Sequence, residues 1–424
     1  MSERVAIDCP VVAETPADRA HFFGFHDVTP WNPAGDALVV LRCDPALRDL
    51  PDGDEAEVCV WRPGDAPAPE PVGTTTAWNF QMGARAQWLP DGRLVYNVVD
   101  KGKLGAIRVA EDGRDPERLP FAVGAIDGAG RQSLAPHYGR LARHWPAYGV
   151  PGTVSPSMDE PVPDDDGLWR LDLETGDVDL FLSVARVAAF QPLSVPPDIP
   201  HFLTHPLYSP SGARVAFLHR FLTADRATYT RLVVADRDGS SLRILAEEKV
   251  SHFCWRDDDT ILVWARQMAG AIAAARRHGW LASPLLRPAL RLARRMKGSM
   301  KQTLTREHYF LVPVDNPDGR RVVGREVLPV DGHPMYRPGD PNLFVTDTYP
   351  DDTRRQALML FEMDAARRID IGSFLSDTSV GDGDIKCDLH PRWSRNGTHV
   401  SVDTTRNGVR QSVIVDAGPA LATA

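Results

Sequence analysis

The stretch at residues 88–98, WLPDGRLVYNV, contains the pattern that decides the fold of this chain. An aromatic residue is followed by a Pro-Asp-Gly turn, and the turn is followed by a largely apolar run. Proline presets the backbone for a tight turn, and glycine adopts positive φ without steric cost. The stretch therefore predicts two antiparallel strands joined by a short turn.

The same pattern recurs along the 424 residues, which predicts a repeat architecture. A degenerate copy, APHYGRLARHW, begins at Ala135. The other copies are WNPAGDALVVL from Trp31, YSPSGARVAFL from Tyr208, WRDDDTILVWA from Trp255, YRPGDPNLFVT from Tyr336 and WSRNGTHVSVD from Trp393. A second hairpin lies between successive copies, so each repeat predicts one four-stranded blade.

Seven such repeats predict an all-β, seven-bladed β-propeller that spans residues 1–424 as one domain. We expect an N-terminal strand near residues 4–7 to close the ring by pairing into the last blade. The alternative is a pair of antiparallel sandwich domains, but sandwiches do not repeat one motif in this way.

The composition is that of a globular protein, with 43% hydrophobic and 25% charged residues. Its five cysteines are odd in number and lack CxxC spacing, which disfavours a disulfide framework or a zinc knot. A net charge of −9 disfavours general nucleic-acid binding. The N-terminus has no apolar signal segment, and no stretch of 18 apolar residues occurs, so we expect a cytoplasmic protein.

One segment departs from this acidic balance. Residues 266–306 contain ten Lys and Arg and no Asp or Glu, and their many Ala, Leu, Arg and Met residues favour helix. We expect a helical insertion within blade five. It would act as a lid, as a helix that binds a partner, or as a helix that docks on an anionic membrane surface and makes the protein peripherally membrane-bound. A solvated insertion without function is the alternative.

Histidines recur in one register of the repeat. The residues three positions before the leading position are, in blade order, Val28, Arg85, Gln132, His205, His252, His333 and His390. The first strand of a blade lines the channel, so these side chains should surround one level of its mouth. Imidazole suits both metal binding and proton transfer near neutral pH. For any single histidine, a structural hydrogen bond between blades is the alternative.

Other polar residues are expected at the same mouth: His26, Asp27, Gln81, Arg143, His201, Arg220, Asp347 and Asp388. Unpaired arginines there would bind carboxylates or sulfates. No serine elbow, phosphate loop or dinucleotide fingerprint occurs, which disfavours triad hydrolases, kinases and dehydrogenases.

Three short motifs carry a resemblance to a known family. SHFCW from Ser251, DGHPMY from Asp331 and DLHPRWS from Asp388 resemble blades of the oligogalacturonate lyase family, and the repeats as a whole resemble TolB-type and WD40-like propellers. The resemblance implies a cytoplasmic seven-bladed propeller that cleaves short uronate oligosaccharides by β-elimination with a divalent metal, commonly manganese. It implies metal ligation by His252 and His390, and it implies that His205 occupies the position of a catalytic histidine.

The chain also departs from that family. The family's last ligand blade has a glutamine and two closely spaced histidines, whereas IKCDLHPRW offers one histidine and Asp388. Either Asp388 replaces a ligand, or the metal site is altered or lost.

The first functional hypothesis is therefore a metal-assisted lyase acting on an acidic oligosaccharide. Its metal ligands would be His252, His333, Asp388 and His390. Its catalytic residues would be His205 as general base, Arg85 as carboxylate holder, His26 and Asp27. Its substrate contacts would be Gln81, Gln132, Arg143, His201, Arg220 and Asp347. The alternatives are a glycoside hydrolase using Asp27, Asp347 or Asp388, and a non-enzymatic propeller that binds a glycan or protein.

Overall fold

The computed structural model of the chain describes residues 3–64, 68–155, 157–193, 195–222, 228–266 and 307–423. These residues form seven sheets of four or five strands, the arrangement of a seven-bladed β-propeller. The fold class predicted from the repeats is confirmed. Of the helical insertion predicted for residues 266–306, Arg266 ends strand β20 and residues 267–306 lie outside the described residues, so its helical character remains a prediction.

Each of the first four blades is built from consecutive strands, with the first strand next to the channel. Blade one contains β3 (Ala20–Phe22), β4 (Leu38–Cys43), β5 (Ala56–Trp61) and β6 (Glu70–Thr75). Blade two contains β7 (Gln87–Trp88), β8 (Leu94–Asp100), β9 (Lys103–Val109) and β10 (Glu117–Leu119). Blade three contains β11 (Ala125–Ile126), β12 (Gln132–Pro136), β13 (Gly167–Asp172) and β14 (Val178–Ser183). Blade four contains β15 (His201–Tyr208), β16 (Arg214–Leu222), β17 (Thr228–Asp236) and β18 (Arg243–Glu248).

The last three blades follow the same order, and the N-terminal strands join two of them. Blade five contains β19 (Val250–Asp257), β20 (Thr260–Arg266), β21 (Glu307–Pro313) and β22 (Arg321–Val323). Blade six contains β23 (Met335–Arg337), β24 (Asp340–Asp347), β25 (Arg355–Glu362), β26 (Arg367–Leu375) and β1 (Glu3–Ala6). Blade seven contains β27 (Arg392–Trp393), β28 (His399–Thr404), β29 (Gln411–Asp416) and β2 (Val11–Glu14).

Short helices of the described residues lie between strands or after the last strand. They are α1 (Tyr138–His144), α2 (Val184–Ala189), α3 (Gly418–Leu421) and the 3-10 turns Pro146–Tyr148, Pro317–Gly319 and Gly383–Ile385. In the described ranges, no helix combines the length and the apolar character needed to span a bilayer.

The aromatic residue that leads a repeat also fastens its blade to the preceding one. The indole nitrogens of Trp88 and Trp393 donate hydrogen bonds to the backbone carbonyls of Pro30 and Met335, at 2.8 and 3.2 Å. In both pairs the acceptor directly precedes the leading aromatic residue of the neighbouring blade. Because a buried indole N–H needs a partner, the repeat specifies the spacing between blades as well as the turn.

The third repeat begins earlier than the degenerate motif suggested. Ile126 takes the leading position, and the amide of Asp127 donates to the carbonyl of Gln132 to close the turn between β11 and β12. Gln132 therefore lies beside the turns at the opposite end of the channel, where its side chain accepts a hydrogen bond from Arg237. Its expected place at the channel mouth, and hence its expected substrate contact, is wrong. Val123 occupies the register position instead.

Two N-terminal strands close the ring. β2 pairs antiparallel with β29 and forms the outer strand of blade seven. β1, which covers most of the stretch expected to close the last blade, pairs in parallel with β26 of blade six. The expectation of N-terminal closure was correct in kind, but the closing strand is Val11–Glu14 rather than residues 4–7.

A buried carboxylate joins blade seven to blade one at the channel. Asp403 on β28 accepts hydrogen bonds from the amides of Phe23 and Gly24, both at 3.1 Å. It also pairs at 3.1 Å with Arg392, whose side chain is fully buried. Arg392 in turn donates to the carbonyl of Gly24 at 2.7 Å. The two blades are thus held together by a desolvated network in which Asp403 accepts hydrogen bonds from both of them.

Asp403→Asn should destabilise the protein strongly. The substitution preserves shape but leaves Arg392 buried without a counter-charge, and breaking a buried pair costs about 3–5 kcal/mol. The measurement is the free energy of unfolding in urea. Asp91→Asn is the control, because Asp91 and Arg93 form an exposed pair worth at most about 1 kcal/mol. Similar losses in both variants would contradict the central role of Asp403.

Candidate functional site

Five histidine rings surround Phe25 at one end of the channel. The distances from the centroid of the Phe25 ring are 4.5 Å to His26, 4.8 Å to His205, 5.1 Å to His390, 6.1 Å to His252 and 6.4 Å to His333. Four of them occupy the shared register position of consecutive blades, so the first strands bring them to one level. Blade one follows blade seven around the ring, and its His26 completes the group.

The backbone at this level is held in an unusual conformation. Arg85, His205 and His390 share the register position and have φ values of 52°, 52° and 43°. The left-handed region is costly for residues other than glycine and is favoured at functional sites when the surrounding structure enforces it. The repeat therefore maintains this conformation in three separate blades, which supports a functional rather than a decorative role for the mouth.

Two histidines have one ring nitrogen fixed by a backbone carbonyl. Nδ1 of His26 donates to Pro334 O at 3.1 Å, and Nδ1 of His390 donates to Gly24 O at 2.8 Å. Nε2 of both rings is buried, and neither has a hydrogen-bond partner in the described part of the chain. Burial lowers the pKa of both imidazoles well below the ordinary value, so both are neutral at pH 7. Each therefore presents a lone pair on Nε2.

Two further histidines are oriented by carboxylates. Nδ1 of His333 lies 2.8 Å from Oδ1 of Asp347, and Nδ1 of His252 lies 3.1 Å from Oδ1 of Asp331. A carboxylate on one ring nitrogen is the usual support for a histidine that binds metal through the other nitrogen. The rings of His252 and His333 are 4.1 Å apart between centroids, so the two pairs form one continuous group.

Three buried residues of this group could hold a cation. Potential ligand atoms of His333, Asp388 and His390 lie within 4.8 Å of one another. Oδ1 of Asp388 is buried and receives no hydrogen bond from the described residues. Neutral imidazoles and a carboxylate are a donor set that suits Mn²⁺ and other divalent ions. The residues present therefore fit a divalent metal.

A narrow pocket lies beside the histidines. It has a volume of about 20 Å³ and is lined by Phe25, Asp27, Trp145, Tyr148, His205, Leu207, Leu218, Arg220, Ser251, His252 and Phe253. That volume accommodates a group about the size of one water molecule. The guanidinium of Arg220 lies over the Trp145 ring, 4.1 Å from its centroid. It forms no ion pair with a carboxylate that the structure describes, and its buried Nε has no hydrogen-bond partner among the described residues. Burial lowers the pKa of Arg220 to about 10, so it remains charged at neutral pH.

Arg85 and Asp27, predicted as catalytic residues, are bonded to each other. Both terminal nitrogens of the Arg85 guanidinium donate hydrogen bonds to the Asp27 carboxylate, at 2.7 and 3.0 Å, and both side chains are almost fully buried. Arg85 also donates to Gly124 O. A bidentate buried pair that joins blades one, two and three leaves Arg85 no free face for a substrate carboxylate, which corrects the role predicted for it.

Four other residues predicted to contact substrate each have a different partner in the structure. Gln81 donates to Lys386 O at 3.1 Å, and its buried Oε1 has no partner among the described residues. Nδ1 of His201 lies 2.9 Å from Nε2 of His219, in a separate histidine pair. Arg143 is exposed on α1 and lies 3.5 Å from Asp159. Asp347 supports His333, as described above.

The sequence reasoning missed several aromatic residues and one lysine at the mouth. They are Phe25, Trp145, Tyr148, Tyr349 and Lys386. Trp145 and Tyr148 lie in the long connection of blade three, and the Tyr148 ring contacts His205 with centroids 5.1 Å apart. The cluster HWPAY within an otherwise polar connection was an available signal, because such aromatic groups on loops often contact ligands.

Comparison of the structure with solved structures identifies the fold. Oligogalacturonate lyase from Vibrio parahaemolyticus matches with a TM-score of 0.59 and 14% identity over 97% of this chain and 99% of that chain. The chain has the fold of oligogalacturonate lyase. A second oligogalacturonate lyase, solved in complex with manganese, matches with a TM-score of 0.60 and 13% identity over 98% of each chain. Compared by sequence, the chain matches no protein-family model and no curated protein. The lyase fold is therefore shared at a level of identity that establishes architecture alone.

The buried histidine pair outside the pocket predicts acid sensitivity. Burial lowers the pKa of His201 to about 4 and that of His219 well below its ordinary value, whereas an unfolded histidine titrates near 6.5. The unfolded state binds more protons between these values, so this stability is present above about pH 6.5 and is lost as the pH falls toward 4. We expect a lower free energy of unfolding at pH 5.0 than at pH 7.5 and a smaller difference in the double variant His201→Gln/His219→Gln. An unchanged pH dependence in the double variant would argue against this assignment.

Proposed function

We propose that this protein is a metal-assisted lyase that cleaves an acidic, uronate-type oligosaccharide by β-elimination. The observation that carries the proposal is the cluster of His333, Asp388 and His390, beside a pocket that contains Arg220 and His205. The cluster and the pocket together offer a cation site, a guanidinium without a described carboxylate partner and a neutral base, which are the three groups that the reaction requires.

The metal ligands proposed are His333, Asp388 and His390, with His252 as the fourth. His26, whose Nε2 is also buried without a described partner, is an alternative fourth ligand. A bound divalent cation, with manganese the expected ion, would stabilise the negative charge that develops on the uronate carboxylate when the adjacent carbon loses its proton. This neutralisation matters because a proton next to a carboxylate is otherwise only weakly acidic.

His205 is the proposed general base. Burial lowers its pKa well below the ordinary value, so the ring is neutral and able to accept a proton at pH 7. Nδ1 lies 2.9 Å from the Thr204 hydroxyl, which orients the ring. Removal of the proton next to the carboxylate by His205 would form a carbon–carbon double bond, while the bond to the glycosidic oxygen breaks and that oxygen takes up a proton.

Arg220 is proposed to bind the substrate carboxylate in place of Arg85. Its guanidinium is charged, lines the pocket and lacks a described carboxylate partner, whereas Arg85 is occupied by Asp27. A guanidinium forms paired hydrogen bonds with a carboxylate, which would give selectivity for acidic sugars.

The alternative functions receive less support. A glycoside hydrolase needs two available carboxyl groups, but Asp27 pairs with Arg85, Asp347 supports His333, and Asp388 pairs with Lys386. A non-enzymatic binding role remains the second proposal and is favoured if the protein contains no metal.

The role of the basic insertion at residues 266–306, as a lid or as a contact with an anionic membrane, also remains a proposal. A cytoplasmic location is proposed because all five cysteines are free and buried.

His205→Asn should abolish most of the lyase activity. General-base catalysis contributes about 10²- to 10⁴-fold, and asparagine cannot take up the proton. The measurement is kcat on a short oligogalacturonate, followed by the ultraviolet absorbance of the unsaturated product. His399→Asn, a histidine on β28 away from the cluster, serves as the control. Equal activity in the two variants would rule out His205 as the base, and no unsaturated product from the wild type would rule out the lyase.

The purified protein should contain about one equivalent of a divalent metal, because potential ligand atoms of three buried residues lie within 4.8 Å of one another. His390→Gln and Asp388→Asn should each reduce that content, and His399→Gln should not. Elemental analysis by inductively coupled plasma mass spectrometry measures it. A metal-free wild type that takes up no Mn²⁺ on dialysis would favour the binding-protein alternative.

A further inference from the structure

Asp388, the carboxylate of the candidate metal cluster, already forms an ion pair with the ammonium group of a lysine. Nζ of Lys386 lies 2.9 Å from Oδ2 of Asp388, and it also lies over the Tyr349 ring, 4.1 Å from the centroid. The other carboxylate oxygen, Oδ1, has no described partner. One side of Asp388 is therefore occupied by an ammonium group, and the other remains available.

Lys386 also acts on the two histidines of the cluster. Its positive charge contributes to lowering the pKa of His333 and of His390, although burial is the largest cause for both rings. The charge is therefore within electrostatic reach of all three potential ligands. The positive charge of Lys386 would also repel a divalent cation placed among these ligands.

The two partners of the ion pair differ in their freedom to move. The Asp388 side chain is 2% exposed, whereas the Lys386 side chain is 36% exposed. A lysine stem is flexible and can carry its ammonium toward solvent while its methylene groups remain packed. The Tyr349 ring offers a second position for the ammonium through a cation–π contact. The pair can therefore open by movement of the lysine alone.

We propose that Lys386 is a resident counter-ion that competes with the divalent metal for Asp388 and thereby sets the metal affinity of the cluster. This inference rests on the proposed function, because it requires that the cluster binds metal. When the metal binds, the ammonium moves off Asp388 and remains on the face of Tyr349. There it is free to pair with an anionic ligand, so metal and uronate bind cooperatively and each strengthens the binding of the other by the same factor.

The first test is the dissociation constant for Mn²⁺, measured by titration calorimetry at pH 8 on metal-stripped protein. Lys386→Met should bind Mn²⁺ about 10- to 100-fold more tightly than the wild type, the range typical of a change in a group next to a metal ligand. Lys386→Arg should remain close to the wild type because it keeps the charge. Lys249→Met is the matched control, since Lys249 is half-exposed and pairs with buried Glu307 outside the cluster.

The second test is cooperativity, which a purely structural lysine would not affect. Galacturonate, a uronate monosaccharide, should tighten Mn²⁺ binding to the wild type and should have a smaller effect on Lys386→Met. Metal-free Lys386→Met should unfold at a lower temperature than the wild type, and Mn²⁺ should raise its melting temperature by more. This second readout shows that the variant folds.

Each outcome separates the inference from the proposed function. Equal Mn²⁺ affinity in Lys386→Met and wild type overturns the inference and leaves the lyase proposal standing. Equal tightening in Lys249→Met overturns it as well, because net charge alone would then explain the effect. Mn²⁺ binding to neither the wild type nor Lys386→Met overturns both. Tightening in Lys386→Met alone supports the inference even if no lyase activity is found.

Discussion

The hydrogen bonds of Asp403 connect the closure of the ring to the shape of the candidate site. This carboxylate holds the backbone of residues 23–24 against blade seven, and the carbonyl of Gly24 then fixes Nδ1 of His390. Gly24 has a φ of 117°, and a Cβ there would lie 2.6 Å from the backbone of Met82. Only glycine therefore allows this approach. The backbone of residues 23–24 therefore both joins blade one to blade seven and orients a histidine of the cluster.

Several buried acceptor atoms at the channel mouth lack a hydrogen-bond donor among the described residues. Burial keeps His26 and His390 neutral, and each leaves an acceptor nitrogen without a described donor. Buried polar atoms without partners cost free energy, so the fold maintains these lone pairs against its own stability. Lys386 compensates only one oxygen of Asp388. A positively charged ligand among His333, Asp388 and His390 would supply a partner that Asp388 and His390 lack.

The accuracy of the sequence prediction depended on whether the relevant signal was local. The blades were predictable because each turn is specified by adjacent residues. The histidines at 205, 252, 333 and 390 were predictable because the same position of each repeat points its side chain in the same direction.

The third repeat was misaligned because Ile126 replaces the aromatic residue and its turn lacks proline. The pairing of Arg85 with Asp27 could not be predicted, since the two residues are 58 positions apart and lie in different blades. Trp145 and Lys386 lie on connections without periodicity, and only tertiary packing brings them to the channel.

The pairing of β2 with β29 and of β1 with β26 has a consequence for biosynthesis. The strands β1 and β2 are synthesised well before their partners, which lie among residues 367–416. Contacts between such distant residues form slowly because a long loop must close first. During translation, the N-terminal strands therefore remain unpaired edges, which are prone to association with other chains. Their sequences, ERVA and VVAE, each contain an acidic residue, and such charge on an exposed edge opposes aggregation until the last blade is complete.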